Sequence, residues 1–145
     1  MRIKIKTKVS STKERVKEGF TRDLFMSLNP PFPPVKLLKF DGCGTGDKVA
    51  LELNFLLFKQ KWISDITEAY EDEKSWYFVD QGSRLPFFLK KWRHHHGVEK
   101  AGSGSIIIDE ITFSTGTVLT DALMYPLLYG QFLYRKPIYK RKFSG

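Results

Sequence analysis

The sequence predicts an α+β domain built on an antiparallel sheet, and three observations carry that expectation. Between residues 35 and 113 the apolar residues recur with period two, and turn signals interrupt them at hairpin spacing. Residues 2–9 alternate in the same way. Helical spacing is confined to residues 11–28 and to a stretch beginning near Thr117, and such segregation of helices from strands favours α+β. The 145 residues suffice for one substantial core, so a single domain over 1–145 is expected, with no linker or repeat beyond the hairpins.

The first strand places Ile3, Ile5, Thr7 and Val9 inward and Arg2, Lys4, Lys6 and Lys8 outward. Ser11-Thr12-Lys13-Glu14 has the spacing of a capping box, with Ser11 as the cap of a short helix carrying Val16 and Phe20. Thr21 or Asp23 caps a second short helix with Leu24, Phe25 and Leu28 on its apolar side. The run Asn29-Pro30-Pro31-Phe32-Pro33-Pro34 ends it, because proline suits neither helix interior nor central strand.

Six strands follow. Val35 to Asp41 is the first, and the glycine-rich Gly42 to Asp47 is a hairpin turn; it lacks the Lys-Ser/Thr ending of a phosphate cradle and no helical pattern follows it. Val49, Leu51, Leu53 and Phe55 alternate with polar or small residues. A second hairpin near Lys59-Gln60 leads to Trp62, Ser64, Ile66, Glu68 and Tyr70 on one face, and Glu71 to Lys74 turns the chain into Trp76 to Asp80. Gly82 to Leu89 is irregular, the Trp92 strand follows, and Ala101 to Gly104 turns into Ser105 to Phe113. In the closing helix Val118, Ala122, Tyr125, Leu128 and Tyr129 share a side, with Leu119, Leu123 and Leu127 beside it; Pro126 and Gly130 predict a kink or restart.

Composition narrows the function. No apolar run approaches the roughly 20 residues of a membrane span, and the charged N-terminus is not that of a signal peptide, so a cytoplasmic location without stable membrane insertion is expected. One cysteine, Cys43, permits neither an internal disulfide nor a cysteine-based zinc site. The net charge of +8 is concentrated in Lys4, Lys6 and Lys8 and in the last eleven residues. We read these as a solvated face and a soluble basic tail, with no nucleic-acid partner expected; a basic adaptor that meets nucleic acid or anionic membrane through Lys136 to Lys142 is an alternative.

The stretch from Trp76 to Phe113 organises the rest. At its centre, period two puts Trp92, His94, His96 and Val98 on one face and Arg93, His95, Gly97 and Glu99 on the other. Arg and Glu are the costlier pair to bury, so the Trp/His/His/Val face should be the inner one. An aromatic inner face with two imidazoles suits a lined cavity better than a dry core. The series Phe78-x-Asp80, Pro86-Phe87, Trp92-x-His94-x-His96 and Asp109-x-Ile111-x-Phe113 resembles the SRPBCC ligand-binding proteins, which include START lipid-transfer domains, PR-10 pollen allergens and polyketide cyclase-like proteins. The chain departs from similar bacterial proteins between Asp80 and Phe87, with Gly82 and Leu85-Pro86 in that loop. The resemblance implies a helix-grip fold: a curved seven-stranded antiparallel sheet around a long C-terminal helix, with a cavity between them.

A hydrophobic small molecule or lipid is therefore the expected partner. The expected ligand-binding residues are Trp62, Ile66, Trp76, Phe78, Asp80, Phe87, Trp92, His94, His96, Ile107, Asp109, Ile111, Leu119, Leu123 and Leu127. The apolar loop Leu85-Pro86-Phe87-Phe88 should form the mouth. No catalytic residue is assigned. The alternative is a cyclase or dehydratase in which His94 or His96 works with an Asp80 of raised pKa as acid–base groups. Asp80, Glu68 and Asp109, if inward, must each be paired or protonated. Three adjacent histidines on a strand cannot all ligate one ion, and His94 and His96 alone would need an acidic or thiol ligand from elsewhere, so neither metal nor cofactor is expected.

Overall fold

The computed structural model describes residues 1–144. Its elements are β1 (Arg2–Val9), α1 (Lys13–Gly19), α2 (Arg22–Leu28), β2 (Val35–Phe40), β3 (Lys48–Asn54), β4 (Lys59–Glu71), β5 (Ser75–Arg84), β6 (Lys91–Ala101), β7 (Gly104–Ser114), α3 (Val118–Leu133) and α4 (Arg135–Lys142). The strands form one curved seven-stranded sheet in the order β1-β7-β6-β5-β4-β3-β2, every neighbouring pair antiparallel. Hairpins therefore join all strands from β2 to β7. The α1–α2 segment instead carries the chain from one sheet edge to the other.

Local details differ from the sequence reading in ways that have physical reasons. Thr12, not Ser11, caps α1: its hydroxyl accepts from Arg15 N–H, while Ser11 Oγ donates to the Phe143 carbonyl at 2.9 Å. Thr21 caps α2. Leu56 turns the β3–β4 hairpin with φ at 73°, so that turn lies at Phe55–Phe58, before Lys59. In β4 a bulge between Ile66 and Glu68 shifts the pairing by one residue. A bulge inserts one unpaired residue and exchanges the faces beyond it. Trp62, Ser64 and Ile66 face inward, whereas Glu68 and Tyr70 move to the outer face, where Glu68 accepts from the Tyr77 hydroxyl at 2.6 Å.

The closing helix keeps its geometry through Pro126 and restarts only at Tyr134. Its buried residues are Leu128 and Phe132, with Met124 and Tyr125 packed beside them. Of the expected wall of Leu119, Leu123 and Leu127, the first two are turned outward, 72% and 65% exposed, while Leu127, though 64% exposed, lines the cavity with Met124 and Leu128. The helix is apolar on nearly every side, so periodicity alone could not choose its inner face. The basic segment is corrected as well. It is α4, docked by buried Ile138 and Tyr139 and by Phe143 just beyond it, rather than a free tail.

Two apolar clusters fill the concave side. One gathers Val16, Phe20, Leu24, Trp76, Phe78, Ile107 and Tyr139 beneath α1, α2 and α4. The other gathers Ile3, Ile5, Trp92, Ile111, Phe113, Leu128 and Phe132 beneath α3. On the inner face of β6 the chain runs from Trp92 in one cluster to Val98 in the other, with His94 and His96 between.

The β1–β7 edge leaves no room beside Gly104, where an added Cβ would lie 2.3 Å from the Val9 carbonyl oxygen. That contact is with backbone, which cannot swing aside. Gly104→Ala should destabilise the fold by about 1–3 kcal/mol, the usual range for overpacking. Urea denaturation would check it, and an unchanged midpoint would contradict the close approach.

Candidate functional site

Between the two clusters lies a polar layer contributed by three adjacent strands and α4. The register sets Asp80 of β5 opposite His94 of β6, and His96 opposite Asp109 of β7. The hydrogen bonds run diagonally instead. His94 Nε2 lies 2.9 Å from Asp109 Oδ1, and His96 Nε2 lies 2.7 Å from Asp80 Oδ2. The two imidazoles are thus crossed, with centroids 3.4 Å apart. Trp92 Nε1–H donates to Asp80 Oδ1 at 3.1 Å, and Arg135 Nη1 donates to Asp109 Oδ1 at 3.5 Å while its guanidinium lies 4.4 Å from the Phe132 ring centroid. His95, on the outer face, stacks on Tyr77.

The electrostatics follow from burial and pairing. Burial acts to raise the Asp80 pKa, but the hydrogen bond from His96 and the further charges and donors around it prevail, so the carboxyl is held below its ordinary value. Asp109 behaves alike: burial is outweighed by the His94 hydrogen bond and the Arg135 charge. Burial, then the neighbouring His96, lowers His94 to about 4, against the pull of Asp109. Burial alone would lower Arg135, yet Tyr139, Asp109 and Asp80 hold its guanidinium charged. An ionised carboxylate only accepts, so neutral His94 must carry its proton on Nε2, leaving the Nδ1 lone pair bare. That Nδ1 lies 3.6 Å from Asp80 Oδ2.

An apolar cavity of about 860 Å³ opens beside this layer, between the β2–β6 part of the sheet and helices α2 and α3. Of the residues expected from sequence, Trp62, Ile66, Phe78, Asp80, Trp92, His94, His96 and Leu127 line it. Trp76 and Ile107 lie deeper in the first apolar cluster and Ile111 in the second. Asp109 is buried behind the histidines as their partner. Phe87 and Leu119 are exposed, and Leu123 lines a shallow depression with Phe88. Phe87 turns outward because Pro86 and Leu89 are the loop residues that pack inward.

Sequence reasoning missed the wall formed by Phe25, Leu28, Phe32, Leu51 and Leu53, and it missed Arg135. The alternation of β3 was visible, but nothing in it said that a cavity lay beyond. The signal for Arg135 was apolar Ile138, Tyr139 and Phe143 interleaved with the basic residues of the C-terminal segment.

Asp80, His94 and His96 each offer one ligand atom, all within 4.8 Å of one another, so Asp80 supplies the acidic group that a metal reading required. Both Asp80 oxygens are already engaged by Trp92 and His96, however, and the Arg135 cation stands close enough to feel Asp80. This environment favours the hydrogen-bonded set over a cation.

The His94 shift makes a signed prediction. The unfolded chain takes up a proton near pH 6.5 that the folded chain refuses until about pH 4. Stability is therefore full above pH 6.5 and falls as pH drops towards 4, by roughly 3 kcal/mol from this group. The lowered Asp80 and Asp109 add loss in the same direction below their ordinary value of 3.8. His94→Gln keeps a donor for Asp109 without titrating, so thermal unfolding against pH should flatten between 6.5 and 4. An acid limb as steep as in the wild type would show that His94 is not its source.

No family model matches the chain, and no curated protein does. Solved structures do. The allergen Ara h 8.0201 superposes with a TM-score of 0.59 at 14% identity, over 95% of this chain and 96% of that one. Truncated norcoclaurine synthase from Thalictrum flavum gives 0.65 at 13% identity, over 92% and 87%. The Zhui aromatase/cyclase from Streptomyces sp. R1128 gives 0.63 at 10% identity, over 94% and 89%. Identities this low establish shared architecture alone. In its fold the chain is a helix-grip protein, a curved seven-stranded antiparallel sheet around a C-terminal helix, as its strand motifs implied.

Proposed function

We propose that the protein binds a hydrophobic small molecule or lipid in the cavity between the sheet and α3, without covalent chemistry. The observation that carries this reading is the cavity of about 860 Å³, within the roughly 300–1,000 Å³ of small-molecule sites and apolar along most of its wall. Its charged and imidazole groups, Asp80, His94, His96 and Arg135, belong to the one polar layer. Among the charged members of the polar layer, Asp80 and Arg135 retain exposed side-chain surface, 14% and 16%, so a ligand's polar end would meet these two first.

The chemistry of the layer supports binding over turnover. With a pKa of about 4, His94 is a weak base at neutral pH. The alternative enzyme needed Asp80 to stay protonated, and the structure holds its pKa in the opposite direction. Burial, followed by the nearby Asp47 and Asp80 charges, pushes the Cys43 thiol up to about 12, which removes it as a nucleophile. One observation favours acid–base work: the His96–Asp80 pair, at 2.7 Å, lies on the cavity wall. Its orientation is that of a carboxylate steadying an imidazole, so a cyclase or dehydratase using His96 is the second reading.

Native mass spectrometry of the protein purified from cells should reveal a retained apolar molecule, and an apolar fluorophore should compete with it. Trp92→Ala should enlarge the cavity, shift preference towards bulkier ligands and lower stability by about 3–5 kcal/mol. His95→Ala should leave binding unchanged and lower stability by no more than about 0.5–1.5 kcal/mol, the worth of its stack on Tyr77. Failure to bind any apolar probe would defeat the binding reading. Turnover lost in His96→Ala with binding retained would establish the enzyme.

A further inference from the structure

The exposed apolar residues are not scattered. Leu56 and Leu57, at the tip of the β3–β4 hairpin, are 80% and 96% exposed. Their neighbours Phe55 and Phe58 meet the 85–88 loop, with ring centroids 5.8 Å apart for both Phe55–Phe88 and Phe58–Phe87. Phe88 in turn shares a shallow depression with Leu123 and Leu127 of α3. Three segments distant in sequence thus form one apolar surface. Phe55, Phe88, Met124 and Leu127 of that surface also line the cavity, so the patch is continuous with the cavity wall.

Leu56, Leu57, Phe87 and Leu123 belong to neither core cluster and are exposed. An exposed apolar area of this kind marks a site of association. Charge indicates with what. Segments 55–61, 84–91 and 118–127 contain five basic residues, Lys59, Lys61, Arg84, Lys90 and Lys91, against a single acid, Asp121. All five are exposed; Glu52, on the neighbouring strand, lies 3.8 Å from Lys59 and leaves the other cations in excess, and Asp121 is engaged by Thr115 N–H at 2.6 Å. Leucine and phenylalanine at the tips with lysines behind them is the arrangement that seats a protein on a bilayer. The apolar groups enter the acyl boundary, and each nearby lysine gains about 1 kcal/mol from anionic headgroups. A second copy of this chain would instead bring five cations against five.

We infer that this face docks reversibly on anionic membrane, bringing the cavity wall that it shares next to the lipid. Docking of this kind is peripheral: among the described residues no helix is long and apolar enough to cross a membrane. It also uses a different surface from the basic residues of α4. The inference does not rest on the proposed function, since the patch would seat the protein whether or not the cavity holds a ligand.

Co-sedimentation of the full chain with phosphatidylcholine vesicles, with and without phosphatidylserine, tests it. The wild type should bind phosphatidylserine-containing vesicles and release with added salt. Leu56→Asp/Leu57→Asp should reduce partitioning by about tenfold or more. Lys90→Glu/Lys91→Glu should reduce it on anionic vesicles and leave weak binding to phosphatidylcholine unchanged. Both pairs are exposed, and uptake of a soluble apolar fluorophore should persist in each variant, which confirms folding and reports on the cavity separately. Vesicle binding without fluorophore uptake would keep the docking surface and defeat the ligand reading; the converse would do the reverse. Absence of wild-type vesicle binding, or equal binding by the leucine variant, overturns the inference. So does a wild-type dimer that Leu56→Asp/Leu57→Asp dissociates and that ignores vesicles.

Discussion

The constraint on which this molecule depends is the burial of two carboxylates, two imidazoles and a guanidinium between two apolar clusters. Asp109 is 2% exposed and the histidine side chains 3% and 4%, so none of these groups can turn to water for solvation. They must satisfy one another. The crossed pairing does most of this, because each histidine reaches the carboxylate diagonal to it and Arg135 supplies the cation that balances one of the two acids, while the Nδ1 atoms of both imidazoles stay without a hydrogen bond. Replacing one member of such a set is far more damaging than the net worth of the set, since the partner stays behind unpaired. The layer holds α4 against the sheet through Arg135 while Ile138, Tyr139 and Phe143 close over the first cluster, and the helix is interrupted at Tyr134 because Pro137 has no N–H to offer the Leu133 carbonyl.

This same layer decides what the cavity wall can do. A neutral His94 with a bare nitrogen, an ionised Asp80 and a retained guanidinium form a fixed pattern of acceptors and one cation. Such a pattern can orient a ligand's polar end, and within it His94 is a weak base. The allergen, the norcoclaurine synthase and the aromatase/cyclase superpose on this chain with comparable scores. Shared architecture thus does not separate binding from catalysis; these side chains do.

Much of the fold was legible because strands report their faces directly. Period two placed His94 and His96 inward and His95 outward without any knowledge of tertiary structure, since no bulge interrupts β6. The same rule failed in β4, where the bulge after Ile66 carries Glu68 to the other face and no residue type there announces it. On α3 the difficulty was different. With leucines at 119, 123, 127, 128 and 133 the sequence offered several apolar faces, and only contact with the sheet selects Leu128 and Phe132. Arg135 was hidden by its company. Among so many exposed basic residues, a single inward guanidinium has no compositional mark; its carboxylate partner lies 26 positions away.

The pairing of β1 with β7 bears on how the chain reaches this state. Residues 2–9 find their partners at 105–112, so the first strand made is an unpaired edge until most of the chain exists. Loop closure over such a separation is slow compared with hairpin formation. On a ribosome, the six hairpin-linked strands from β2 to β7 can zip in order as they emerge, while β1, an alternating Ile/Lys strand, waits in solvent. Its outward lysines then serve the nascent chain before they serve the native one, since charge on an unpaired strand discourages it from pairing with a neighbouring copy.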